Sequence, residues 1–326
     1  MNGKTGTKKV LLICVILILV LVMLYSGLRI LESTVLYDGQ EQETPVASKT
    51  IERDGIAYYP RQDIQVMMVL GIDQYGPVTP SESYNNTGEA DMISLVVFDE
   101  ATEQIDILCL NRDTMMEIPV LGLGGKPAGT RYGQLALAHT YGTGMADSCE
   151  NIRSAVSQLL YGITVDHYVS MNMDAISMLN DAVGGVTVNV TDDFSDVDPT
   201  ITTGTFTLRG EQAVKYVQVR KNVGDQMNVS RMQRQEQYME GFLKSLRQVS
   251  DETFVLETYD LVSDYIVTDC SARSLASMLS RYQDYQLDQI VTPEGENVRG
   301  QQYMEYHLDE DQLDSLILEL FYAPKQ

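Results

Sequence analysis

The chain has 326 residues, with 23 Lys and Arg against 46 Asp and Glu, a formal net charge of −23. A polyanion of that size repels nucleic-acid phosphates and carries no compensating basic stripe, which excludes direct DNA or RNA binding. A hydrophobic content of 44% with 21% charged residues describes a globular chain rather than a disordered one, long enough for one large domain or two small ones.

The N-terminus sets the expected compartment. Val10 to Leu28 contains no charge, and at 1.5 Å per residue it reaches about 29 Å, close to a bilayer core of about 30 Å. Lys4, Lys8 and Lys9 precede it, so residues 1–9 are expected in the cytoplasm, 10–28 as a single-pass signal anchor, and the rest outside. A cleaved secretory signal is the competing reading. The apolar run exceeds the ~7–15 residues of a usual signal core, and no A-x-A site follows it. Residues 29–59 read as a polar stalk, and 60–326 as an extracytoplasmic domain held at the membrane.

Beyond the stalk, Ile64–Ile72, Met92–Phe98 and Ile105–Leu110 are apolar runs of strand length. The polar turn Asp99–Gln104 makes the second and third an antiparallel hairpin. Residues 74–90 form a long loop rich in Gly, Pro, Ser and Asn, a composition and length often tied to function. Helical patterns follow at Gly133–Tyr141, Met145–Leu160, Asp174–Ala182, Gly210–Arg220, Val229–Val249, Ser271–Tyr282 and Asp311–Phe321, interleaved with strands at Tyr168–Met171 and Val186–Val190. The predicted fold class is α/β, a mixed β-sheet sandwiched between α-helices. In Val229–Val249, Met232, Met239, Phe242, Leu243, Leu246 and Val249 fall on one stripe.

Cys14 lies in the apolar segment, leaving Cys109, Cys149 and Cys270 beyond it, an odd number that weighs against a Cys149–Cys270 bridge. Cys109 reads as a buried small hydrophobe. His139, His167 and His307 are too dispersed for a zinc site of recognisable spacing.

The chemistry-bearing residues gather at strand ends. Asp73 ends the first strand, Asp91 opens the second, and the third runs into Asn111-Arg112-Asp113-Thr114. If the strands pair as neighbours, Asp73, Asp91, Arg112 and Asp113 converge beside the 74–90 loop. Paired carboxylates without His or Cys are hard oxygen ligands that favour Mg²⁺ or Mn²⁺, and arginine forks bind phosphoryl oxygens. Arg220, Arg231, Arg234 and Gln235 follow downstream, with Arg231 and Gln235 one helical turn apart near a helix start. The alternative is that these arginines merely offset the acidic excess and that the cluster is solvated loop.

The succession V-L-G-I-D, A-D-M-I-S-L, N-R-D-T-M-M-E-I-P, A-H-T-Y-G, D-H-Y-V-S-M-N-M-D, V-G-G-V-T-V-N-V, L-R-G-E-Q-A-V-K-Y-V-Q-V-R-K and S-R-M-Q-R-Q, in order from about Val66 to Leu246, resembles the LytR-CpsA-Psr family. The resemblance implies a membrane-anchored, Mg²⁺-dependent phosphotransferase of the bacterial envelope. Such enzymes move a glycopolymer from a polyprenyl-pyrophosphate carrier to peptidoglycan, making a phosphodiester, on a fold with an apolar groove for the lipid. By position it implies metal binding by Asp73 and Asp91, and pyrophosphate binding by Arg112, Arg220, Arg231 and Gln235, with Arg234 close by. Asp113 follows the family's arginine and is a candidate proton acceptor.

Three positions depart from the family pattern. Glu89 and Gln218 stand where arginines are common, and Gln134 falls near a common lysine. The departures keep two rivals open, a non-catalytic lipid-glycan binding module and a pyrophosphatase using water as acceptor. A transcriptional role is disfavoured by the acidic, outward-facing domain. The lipid is expected against Met67–Leu70, Leu95–Phe98 and the Met232/Met239/Phe242 stripe.

Overall fold

A computed structural model describes residues 50–224, 228–249 and 251–324, all within one unit, Ser48–Gln326. The expected span Val10–Leu28 lies outside the described residues, among which no helix is long and apolar enough to cross a membrane.

In chain order the strands are β1 (Ile51–Arg53), β2 (Ile56–Pro60), β3 (Ile64–Ile72), β4 (Ala90–Asp99), β5 (Gln104–Leu110), β6 (Met115–Leu121), β7 (Pro127–Gln134), β8 (His167–Met171), β9 (Val186–Val190), β10 (Gly204–Leu208), β11 (Ile266–Thr268), β12 (Gln286–Val291), β13 (Gly295–Arg299), β14 (Met304–Leu308) and β15 (Tyr322–Pro324). The helices are α1 (Ala146–Leu159), α2 (Met173–Ala182), α3 (Glu211–Gln218), α4 (Asn228–Val249), α5 (Glu252–Val262), α6 (Ala272–Tyr282) and α7 (Glu310–Phe321).

Six strands form a mixed sheet in the order β11-β8-β3-β4-β5-β12, in which β8 runs parallel to β3 and β12 parallel to β5. β3, β4 and β5 are antiparallel neighbours, and the expected hairpin turn closes with Asp99 opposite Gln104. Central strands covered on both faces need apolar residues at successive positions, which is why these runs do not alternate with polar residues. Val66, Met68, Leu70, Ile93, Leu95, Val97, Leu108 and Leu110 point to one face and bury against α1 and α7. Ile105, Ile107 and Cys109 point to the other and meet α4 through Met232, Met239 and Leu243.

Several expectations are corrected. Gly133–Tyr141 is not an α-helix: its start belongs to β7, which pairs with β6, and only Leu135–Thr140 coils into a 3-10 segment. The Leu-Ala-Leu-Ala spacing mimics a helix, but the chain there must close a hairpin and turn back over the sheet. Strands β1 and β2, in the stretch expected as stalk, pair with each other and with the C-terminal β15. The reading of Cys109 as a buried small hydrophobe agrees with the structure, in which Cys149 and Cys270 are also buried free thiols.

Candidate functional site

The site forms where β3 ends and β4 begins. Gly71 pairs with Met92 but Ile72 pairs with Ala90, so Asp91 is an extra residue on β4, a β-bulge. Strict alternation would send Asp91 and Met92 to opposite faces. The bulge turns both toward the α4 side, where they line one cavity, while Ala90 and Ile93 stay in the opposite core. Gly88 allows this approach, because a Cβ there would lie 2.9 Å from the Ile72 side chain. The Asp73 N–H donates to the Glu89 carbonyl at 3.1 Å, which fixes Asp73 beside the same segment.

The long loop before β4 is pinned rather than loose. Buried Asn86 donates from Nδ2 to the carbonyls of His139 at 2.9 Å and Gly142 at 3.2 Å, and to Ser148 Oγ at 3.0 Å. The His139 Nδ1 lies 2.8 Å from the Gly88 carbonyl. The Asn86 Oδ1 accepts from the Gly88 N–H at 2.7 Å, while every partner of its Nδ2 comes from the segment around α1.

Arg112, immediately after β5, is 9% exposed and meets three carboxylates: Asp91, Glu89, and Asp113 at 3.3 Å. Arg231, on the first turn of α4, is 1% exposed, and its Nη1 lies 2.7 Å from the other Asp91 oxygen. Asn228 orients it, accepting from Arg231 Nη2 at 2.5 Å and donating to Asn111 Oδ1 at 2.8 Å. Asp91 is thus clamped between two guanidinium groups from β5 and α4. Burial, then the neighbouring cations Arg220 and Arg112, pull the Arg231 pKa down to about 9. A guanidinium in that condition gains from any anion brought within reach.

The three departures from the family pattern all touch this cluster. Glu89 pairs with Arg112; Gln218 Nε2 donates to Asp73 Oδ1 at 2.9 Å; Gln134 Nε2 donates to Asp113 Oδ1 at 2.7 Å. Tyr75, at the loop's start, donates its hydroxyl to Gln218 Oε1 at 2.9 Å. Asp113 is 4% exposed, and its carboxylate faces Arg112 and Gln134.

Arg234 and Gln235 face differently. Arg234 donates from Nε to the Tyr216 carbonyl at 2.9 Å and to the Val219 carbonyl, and pairs with Asp192 at 2.7 Å. Its guanidinium fastens the end of α3 to α4. Gln235 Nε2 donates to the Val217 carbonyl at 3.0 Å while its side chain lines the cavity. Arg220 is exposed at the end of that segment.

The cavity, about 260 Å³, lies between the sheet and helices α2, α3 and α4. Val69, Gly71, Val96, Ile107 and Val169 form its floor, and Ile176, Tyr238, Met239 and Phe242 are among its roof residues. Of the expected lining, Val69, Val96, Met239 and Phe242 are there; Met68, Leu70, Leu95 and Val97 lie in the opposite core, the consequence of two-residue alternation. Asp91, Gln218 and Gln235 belong to its wall, so the apolar space opens beside the charged cluster.

The LytR_cpsA_psr family model matches residues 31–321. The polyisoprenyl-teichoic acid–peptidoglycan teichoic acid transferase TagU of Bacillus subtilis is 24% identical over 98% of this chain and 97% of its own length. TagU of Oceanobacillus iheyensis is 25% identical over 74% of this chain and 71% of its own. Among solved structures, TagT bound to LIIa-WTA superposes with a TM-score of 0.63 at 21% identity, covering 86% of this chain and 96% of that one, a likeness of fold. With the family model spanning nearly the whole described unit and the fold in agreement, the chain belongs to the LytR-CpsA-Psr family.

Proposed function

We propose that this protein transfers a glycopolymer from a polyprenyl-pyrophosphate carrier to peptidoglycan at the outer face of the bacterial membrane, with residues 10–28 as its anchor. The observation that carries the reading is the junction of an apolar cavity with a buried guanidinium–carboxylate cluster through shared walls, Asp91, Gln218 and Gln235. An isoprenoid chain needs apolar enclosure and its pyrophosphate needs cations at the mouth.

In this reading the lipid lies between α4 and the sheet, and Arg112, Arg231 and Arg220 hold the phosphoryl oxygens. The acceptor hydroxyl attacks the phosphorus that bears the glycan. The bond from that phosphorus to the bridging oxygen breaks, and polyprenyl monophosphate leaves. Arg112 and Arg231 stabilise charge developing on the non-bridging oxygens from positions already fixed by Asp113, Asn228 and Asn111. Asp113, buried against Arg112 and Gln134, suits orientation of the arginine; Glu89, nearer solvent, suits receipt of the hydroxyl proton.

The donor set fits Mg²⁺. Asp73, Glu89, Asp91 and Asp113 outnumber the guanidinium groups of Arg112, Arg220 and Arg231, so a pyrophosphate entering alone would meet net negative charge. Asp73 and Asp91 would hold the ion, which supplies positive charge shared with substrate phosphates. The test is incubation of the full-length protein with a short-chain polyprenyl-pyrophosphate glycan and peptidoglycan, with and without Mg²⁺. Metal-dependent appearance of glycan on peptidoglycan and release of polyprenyl monophosphate supports the reading. Release without attachment identifies the pyrophosphatase, and binding without either product identifies the binding module.

A further inference from the structure

We propose that His167, Asp269 and Cys270 form a zinc-binding site at the edge of the sheet, separate from the phosphate site. β11 ends at Thr268, pairing with Val169 of β8, and the next ladder step is taken by a side chain: the Tyr168 N–H donates to Asp269 Oδ1 at 3.0 Å. That substitution bends the chain, and the Cys270 N–H donates to Thr268 Oγ1 at 3.0 Å, which brings the thiol back over the carboxylate. His167 opens β8 and pairs with Met67 of the inner strand β3. His167 thus stands on β8, and Asp269 and Cys270 on the bend that directly follows β11.

Three side chains of metal-ligand type converge at this corner. The three ligand atoms lie within 4.8 Å of one another. His167 Nδ1 is 3.5 Å from one Asp269 oxygen, and Cys270 Sγ is 3.7 Å from the other. Bonds of about 2.0 Å to nitrogen and oxygen and about 2.3 Å to sulfur give ligand separations of about 3.3–3.5 Å around zinc, so the three side chains would draw together when an ion binds. The Nδ1 atom is buried and makes no hydrogen bond, its nearest polar neighbour being the Asp269 carboxylate. The thiol excludes Mg²⁺ and Ca²⁺, and the carboxylate and imidazole disfavour Cu⁺, which leaves Zn²⁺ as the fitting ion. Three protein ligands leave its fourth position to water.

The surroundings agree. Arg153 of α1 reaches an Asp269 oxygen only at 3.7 Å, its closer partner being Glu150. The ion would tie β8 to the β11–α6 corner. The sequence hides the site because His167 lies far along the chain from the Asp-Cys pair.

Full-length protein titrated with Zn²⁺ alone should bind one ion that Cys270→Ser and His167→Gln each weaken at least tenfold, while Asp91→Asn leaves it unchanged. Co²⁺ should give a thiolate charge-transfer absorption that disappears in Cys270→Ser. Absence of the cobalt–thiolate band, or zinc binding that is unaltered in Cys270→Ser and lost in Asp91→Asn, overturns the site.

Discussion

The two faces of the central sheet are built from equally apolar strands, yet one is solid and the other hollow. On the α1 side, Met68, Leu70, Leu95 and Leu108 show no exposure, and the small residues Cys149 and Ala155 let α1 settle directly onto them. On the α4 side, Gly71 offers no side chain to the floor, and α3 and α4 are fastened to each other by Arg234 and Gln235 rather than drawn down onto the strands. The space beneath them stays open because the polar ties fix how near the helices come. A hollow apolar face forfeits dispersion contacts that a filled one gains, so its persistence next to buried guanidinium groups favours a ligand as its natural filling.

Two methionines on neighbouring strands test that contrast most strongly. Met68 lies in the solid face and Met92 on the cavity wall. Met68→Ala should cost about 3 kcal/mol of folding stability through lost burial and a new void. Met92→Ala, which only enlarges space already present, should cost about 1 kcal/mol, as urea unfolding would show. Equal losses would mean the cavity closes in solution.

That contrast was only half legible in the sequence. The three apolar runs, their hairpin and the long helix α4 follow from periodicity and turn chemistry. Which strand face is solid does not, because both faces read as apolar and the difference lies in helix partners distant in the chain. The convergence of Asp73, Asp91 and Arg112 on one sheet end could be argued from topology, but the bulge that turns Asp91 into the cavity depends on the pairing of Ile72 with Ala90. Asn228 and Asn86 carry no motif, and each is recognisable only from what it bonds; Asn111 opens the N-R-D motif, but its bond to Asn228 shows only in the structure. Hairpins such as β6–β7 and β13–β14 have short or polar strands, and their signals are correspondingly weak.

At the charged mouth of the cavity, Arg112 is no ordinary surface arginine. Arg112→Ala would leave Asp91, Glu89 and Asp113 short of a cation, and removal of one partner from a buried ion pair costs about 3–5 kcal/mol. Arg112→Lys is the cleaner probe, since it keeps the charge and removes the fork. Transfer should fall about 10²-fold, roughly 2.7 kcal/mol of transition-state stabilisation, with a much smaller change in melting temperature. Parallel losses of both would make the arginine structural.

Filling the hollow should separate ligand binding from folding. Ile176 of α2 lines the cavity, and Ile176→Phe adds volume where there is room for it. Donor transfer should fall about tenfold, about 1.4 kcal/mol, while stability holds or rises slightly. The matching change on the solid face, Ala155→Leu, should instead destabilise by about 1–3 kcal/mol. If Ile176→Phe leaves both transfer and lipid affinity intact, the isoprenoid lies elsewhere.

The smallest expected effect is a pH dependence that joins the solid side to the site. His139 is 2% exposed, and its ring is bonded to the Gly88 carbonyl one residue before Glu89. Burial lowers its pKa from the ordinary 6.5, partly opposed by that bond and by Asp147. Between the lowered folded value and 6.5 the unfolded chain binds the proton and the folded chain does not. Stability is therefore fully present above about pH 6.5 and declines as pH falls, at no more than about 1.4 kcal/mol per pH unit. His139→Gln, which titrates nowhere in this range, should flatten the decline between pH 6.5 and 5. If the slope survives that substitution, the proton uptake belongs to another group and the solid face does not brace the site in this way.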